Sequence, residues 1–151
     1  KASPLRVTPF NEWNAQFSPG PAGGPRWVAF ESDESGRSEI YVQSYPGGEH
    51  RVPVSTGGGI CPMWSPDGKE LFFLTGDDVV AVAMRPDGAF GPPRRLFDRS
   101  TFFSNDRFHA YAVSPDGRRF AMIQRDPGSV PRQLNVILNW SDVRARAPGI
   151  K

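Results

Sequence analysis

Serines beside aspartates, two histidines and one cysteine are the residues of this chain that could do chemistry on another molecule. The serines and aspartates sit in a recurring phrase, Ser65-Pro66-Asp67-Gly68 and Ser114-Pro115-Asp116-Gly117. A nucleophilic serine needs a histidine base within hydrogen-bond reach, and His50 and His109 are the only histidines, neither in a nucleophile-elbow sequence. Pro-Asp-Gly is also a turn with its own mechanism: Pro presets φ, Asp bonds to nearby backbone and Gly accepts positive φ. The phrase therefore predicts turns at both places, and again at Arg85-Pro86-Asp87-Gly88. Cys61 is alone, so no intrachain disulfide forms, and two scattered histidines do not complete a zinc set. Ser32-Asp33-Glu34-Ser35-Gly36 offers carboxylates to calcium but lacks the spaced aspartates of a dedicated loop, and reads as a hairpin turn. Gly57-Gly58-Gly59 stands between strands with no helix to follow, which suits a connection and not a phosphate cradle. No catalytic residue, cofactor site or metal ligand is assigned, and the chain is expected not to be an enzyme.

Composition narrows the partners. The 151 residues carry 18 basic and 16 acidic side chains, a net charge of +2 that would neutralise few phosphates, so no nucleic acid is expected. No apolar run approaches the ~18 residues of a membrane span, so no direct membrane insertion is expected either. The chain starts at Lys1 and not at Met, as a processed product or a piece of a longer polypeptide would. With 16 Gly and 16 Pro beside 11 Phe, 4 Trp and 3 Tyr, the composition fits many short strands joined by tight turns.

What must position these residues is a repeat. Ser18, Ser65 and Ser114 open the same phrase 47 and 49 residues apart, a period close to that of propeller blades. After each turn comes a short apolar run, Arg26–Phe30, Glu70–Leu74 and Arg119–Ile123, then a third strand at Glu39–Gln43, Val79–Ala83 and Leu134–Leu138. Runs without polar alternation are those of strands covered on both faces. Fourth strands are expected at His50–Val54, where Pro53 suits an outer edge, and at Arg94–Phe97. The fold class is thus all-β, about three four-stranded antiparallel β-propeller blades, over residues 14–56, 60–99 and 109–140, with a tail at 141–151. The third blade lacks its own fourth strand. Residues 1–10, through Leu5–Phe10, are expected to be an outer strand completing a blade, in a second copy or in a longer chain.

The stretch Trp64-Ser65-Pro66-Asp67-Gly68-Lys69-Glu70-Leu71-Phe72-Phe73, its Ser114 counterpart, and Asn14–Pro19 through Ser38–Val42 resemble the WD-like repeats of TolB-like six-bladed propellers. The closing Leu134–Trp140 is similar to the ends of bacterial proteins that join a kinase or DNA-binding domain to such a propeller. The first copy departs from the pattern: Ser18-Pro19-Gly20 runs on to Pro25 where the family has Ser-Pro-Asp-Gly, so its hairpin should protrude. The resemblance implies the C-terminal part of a bacterial propeller in an extracytoplasmic setting, periplasmic or at the cell surface.

In such a fold one face collects the connections leading into each inner strand, here Asn11–Asn14, Gly57–Pro62 and Phe103–His109. The candidate binding residues on that face are Asn11, Trp13, Cys61, Asp106, Arg107 and His109, with Trp13 either an exposed anchor or a buried inter-blade group. The expected role is a binding or scaffold module for a protein or ligand, its partner a protein or the missing blades. A homodimer closing a six-bladed ring is one such arrangement. The alternatives are the propeller domain of a prolyl-oligopeptidase-like peptidase and a self-assembling subunit joined by strand exchange.

Overall fold

The structure, a computed structural model, describes residues 4, 5, 7–20, 24–85, 87–102 and 111–124, and the backbone of 134–137. Strands β1 (Glu12–Phe17), β2 (Trp27–Ser32), β3 (Glu39–Ser44) and β4 (Arg51–Pro53) form the first sheet. The second holds β5 (Ile60–Trp64), β6 (Glu70–Thr75), β7 (Asp78–Ala83) and β8 (Arg94–Asp98); the third holds β9 (Tyr111–Val113), β10 (Phe120–Ile123) and β11 (Leu134–Ile137). Each is an antiparallel meander in chain order, the arrangement that short connections and short apolar runs allow.

Alternation of side chains explains how the sheets stack. From the first sheet, Ala29, Ile40, Val42 and Val54 meet Trp64, Leu71, Phe73, Val80 and Val82 of the second. The opposite side of the second sheet, with Cys61, Phe72, Leu74, Val79, Ala81 and Leu96, meets Tyr111, Phe120 and Met122 of the third. Phe72 and Phe120 touch edge to face at 5.1 Å. The strands β6 and β7 are therefore covered on both sides, and each large apolar side chain so buried contributes about 1.5–3 kcal/mol. That double cover is the physical reason their sequences carry no polar alternation.

The repeated serine is the staple of the turn that joins each inner strand to the next. Ser65 Oγ accepts the Glu70 N–H at 2.9 Å and donates to Asp67 at 2.7 Å, while Asp67 accepts the Lys69 N–H at 3.1 Å. Ser114 does the same with Arg119 and Asp116 at 3.0 and 2.5 Å. Gly68 and Gly117 take positive φ there, and each lies against the preceding blade, with space for a Cβ only 3.5 Å from Pro19 and Pro66 respectively. Turn chemistry and blade stacking thus use the same residues.

One sequence expectation resolves differently. The fourth strand of the first blade is only Arg51–Pro53: Val54 still donates to the Ile40 carbonyl opposite it at 2.7 Å, but the Ile40 N–H donates to Ser55 Oγ at 2.8 Å and not back to Val54, which ends the ladder. The completion of a blade expected of residues 1–10 concerns a second copy or a longer chain; within this chain the described residues 7–10 carry no strand. The first hairpin loop at 21–23, much of the connection into β9, and the tail at 141–151 lie outside the described residues.

Candidate functional site

At the face where the chain enters each inner strand, two residues share an unusual backbone. Asn14 (φ 50°) and Cys61 (φ 54°) are both left-handed, each inside an irregular step of its inner strand, between Trp13 and Gln16 in β1 and between Ile60 and Met63 in β5. Asn tolerates this conformation; Cys rarely adopts it. A third group holds both bulges. Glu31, 2% exposed on β2, receives the Asn14 side-chain N–H at 2.5 Å and the Cys61 backbone N–H at 2.6 Å on the same oxygen, Oε1. From the third blade the Tyr111 hydroxyl donates to the Cys61 carbonyl at 3.0 Å. Burial, and secondarily the Cys61 thiol, push the Tyr111 phenol well above its ordinary value, so it remains a donor. One polar chain of contacts thus ties three blades together at the heads of their inner strands.

Around this chain the expected binding residues fall into three groups. Asn11 is tied down: its backbone N–H and side chain both reach the Asp33 carboxylate, at 3.0 and 2.7 Å. Those two hydrogen bonds hold Asp33 below the usual carboxylate range. Trp13, on β1 opposite Glu31, is 43% exposed. Cys61 is 2% exposed and belongs to the core between the second and third blades; its side chain is packing and not a reachable contact, because the left-handed bulge turns it inward. Asp106, Arg107 and His109 lie outside the described residues.

The remaining chemistry-bearing residues serve structure. The acidic turn between β2 and β3 gives Asp33 to Asn11 and Glu34 to Arg51, whose Nη2 lies 2.5 Å from Glu34 Oε2, and no cluster suited to a metal is found among the described residues. Arg51 also lies 4.0 Å over the Tyr41 ring. His50 is exposed, and its backbone N–H donates to Ser44. Of the glycines leaving the first blade, Gly57 and Gly58 border open space, whereas a Cβ on Gly59 would fall 2.6 Å from Ser55 Oγ and 2.8 Å from Ile40. Close packing fixes that glycine. Ser55 in turn donates to the buried carboxylate of Glu39, which also accepts the Gly58 N–H at 2.9 Å. Sequence reading missed Glu31, Glu39 and Tyr111; the one available signal was a glutamate in a run whose other copy has leucine.

The two ends of the stack differ from its middle. Register pairs Phe17 with Val28 and Trp64 with Leu71, so Phe17 and Trp64 hold the same position in successive blades. Trp64 is 6% exposed, its indole N–H donating to the Gln16 carbonyl at 3.2 Å. Phe17 is 54% exposed, with Tyr45 edge-on at 4.9 Å. Among the described residues, the exposed large apolar ones are Leu5, Val7, Phe10, Trp13, Phe17 and Tyr45, all in the first blade or just before it, and Ile123 on the third, with none from the middle blade.

No protein-family model matches the chain, and no curated protein matches it. Among solved structures, an oligogalacturonate lyase from Vibrio parahaemolyticus matches with a TM-score of 0.59 at 13% identity, over 80% of this chain and 31% of that one. TolB from Acinetobacter baumannii matches with a TM-score of 0.45 at 20% identity, over 89% of this chain and 45% of that one. The chain spans about a third of the lyase's length and under half of TolB's. With the three antiparallel sheets, the likeness to the lyase shows the fold: a stack of β-propeller blades.

Proposed function

We propose that this chain is a non-catalytic binding or scaffold segment of a β-propeller, whose end faces stack on further blades and whose inner-strand heads present a recognition face. The observation that supports it is the contrast between Phe17 and Trp64, one position of the repeat, exposed at 54% in the first blade and covered to 6% in the second. A covered tryptophan in the middle and a bare phenylalanine at the end is what a stack waiting for its neighbour produces. Trp13 and Asn11, beside the open end, belong to the recognition face, because loops carried on rigid sheets are where binding concentrates. An extracytoplasmic setting is proposed on the resemblance to TolB-like repeats alone.

The experiment is light scattering of the 151-residue chain over a range of concentrations, with Phe17→Asp alongside. We expect a species of twice the 16.7 kDa chain mass, two copies supplying six blades, and its loss in Phe17→Asp. Concentration-dependent aggregation that Phe17→Asp relieves would mean that the covering blade comes from a longer polypeptide. A wild-type monomer that stays soluble at high concentration and does not respond to Phe17→Asp would overturn the reading.

A further inference from the structure

On the opposite face, where the Ser-Pro turns lie, each pair of neighbouring blades leaves a groove, and the two grooves have opposite chemistry. The repeat's hydrogen bonds set the correspondence. Ser18 N–H donates to Trp27 O at 2.9 Å and Ser18 Oγ accepts the Trp27 N–H at 3.2 Å. Ser65 makes the same pair with Glu70 at 2.8 and 2.9 Å. Trp27 therefore stands where Glu70 stands in the next blade, and Gly20 where Asp67 stands. Set against the second blade, the first lacks two carboxylates: the turn aspartate, which recurs as Asp116 in the third, and Glu70, whose place Arg119 takes there.

The consequence is visible in the linings. The groove between the second and third blades, about 330 Å³, is bordered by Asp67, Glu70 and Asp116. The groove between the first and second, about 370 Å³, is bordered by Arg26, Trp27, Lys69 and Arg85 with Asp67 as its one carboxylate. Asp67 is already occupied by Ser65 and by Lys69, whose Nζ lies 3.6 Å away. Arg26 and Arg85 have no ion pair among the described residues. The indole of Trp27 is held in place by Gly88, which sits so close that a Cβ there would lie 2.8 Å from the ring. Unlike that of Trp64, its N–H meets no acceptor among the described residues.

We propose that this groove is a binding site for a small organic anion, a phosphate or carboxylate carried on a ring. The ring lies along Trp27 and the charged group is taken by Arg26 and Arg85, with Lys69 at the rim. Arginine suits carboxylates and phosphates through paired N–H donors, and a half-buried indole offers both a flat face and one donor. The site lies between two blades of this chain and stands whether or not the end faces are covered.

The test follows the indole N–H resonances of the ¹⁵N-labelled chain, the Trp27 signal assigned by its loss in Trp27→Phe, during titration with phenyl phosphate, benzoate and, as the uncharged control, benzyl alcohol. We expect a saturable shift of the Trp27 signal with phenyl phosphate or benzoate, the tighter of the two identifying phosphate or carboxylate as the natural group. Arg26→Gln/Arg85→Gln should weaken it about tenfold or more, and added salt should weaken it too. Both arginines are exposed, and unchanged dispersion of the remaining resonances confirms that the double variant is folded. A Trp27 signal that does not move, a shift undiminished in the double variant, or an equal response to benzyl alcohol would overturn the proposal.

Discussion

Glu31 occupies in β2 the position that Leu74 occupies in β6, and the exchange of an apolar side chain for a carboxylate is what lets one blade hold the backbone of the next. Removing it would leave the buried Cys61 N–H without its acceptor and take from the half-buried Asn14 amide its shorter bond. Glu31→Ala should therefore cost about 2–4 kcal/mol, read as a lower urea midpoint, while Glu31→Gln, which keeps an oxygen, should recover most of it. The turn aspartates give a pH dependence. Asp67 is held below its ordinary 3.8 first by the Ser65 hydroxyl, Asp116 by Ser114, and Asp98 by Ser100. A carboxylate whose folded value is the lower one binds fewer protons folded than unfolded. Its stabilisation is whole above the unfolded value and fades as pH falls through the folded one. Thermal unfolding followed from about pH 5 to pH 2 should thus show stability falling below about pH 4, and Ser65→Ala should make that fall shallower. Ser65 and Asp67 were legible in the sequence as turn residues because their bonds are local. Glu31 was not, since its partners are 17 and 30 residues away, and neither was the inward turn of Cys61, because nothing about a cysteine announces a left-handed bulge.

Strands and their joints carry the next set of consequences. Trp64 fills the joint between the first two blades, so Trp64→Ala should cost about 3–5 kcal/mol by the cavity it leaves. Phe17→Ala, at the same position of the repeat, should cost under about 1 kcal/mol in a lone chain, where most of its ring is already in water. The comparison is made by chemical denaturation at a concentration too low for association. Gly88 is a second joint: at φ 86° and against the Trp27 ring, Gly88→Ala must strain the backbone and push the indole, and should lower stability by about 1 kcal/mol or more. The apolar runs of β2, β6 and β10 were readable from the sequence because double cover leaves an unbroken signature. The brevity of β4 was not, since an outer strand buries little. Nor was the cationic groove, which arises only when the missing aspartate of one turn is set against the lysine of the next.

At the scale of the molecule, stability grades along the stack. Among the described residues the apolar clusters join only neighbouring blades, so the second, packed on both sides, should be the last to open. Hydrogen exchange should accordingly leave the amides of β6 and β7 protected longest, with β1 exchanging earlier. Equal protection in all the described blades would contradict this nearest-neighbour view. The propeller class was legible from the 47- and 49-residue spacing of three serines, because a repeat writes its architecture many times over.

The position of Cys61 has a practical corollary. It is the single thiol of the chain, shut into the core and fastened on its N–H side to the first blade and on its carbonyl side to the third. A thiol reagent can reach it only when one of those joints parts. Its rate of labelling is therefore an intrinsic clock for the separation of neighbouring sheets, readable in the unmodified protein without an introduced label, and any ligand or partner that clamps the stack should slow it.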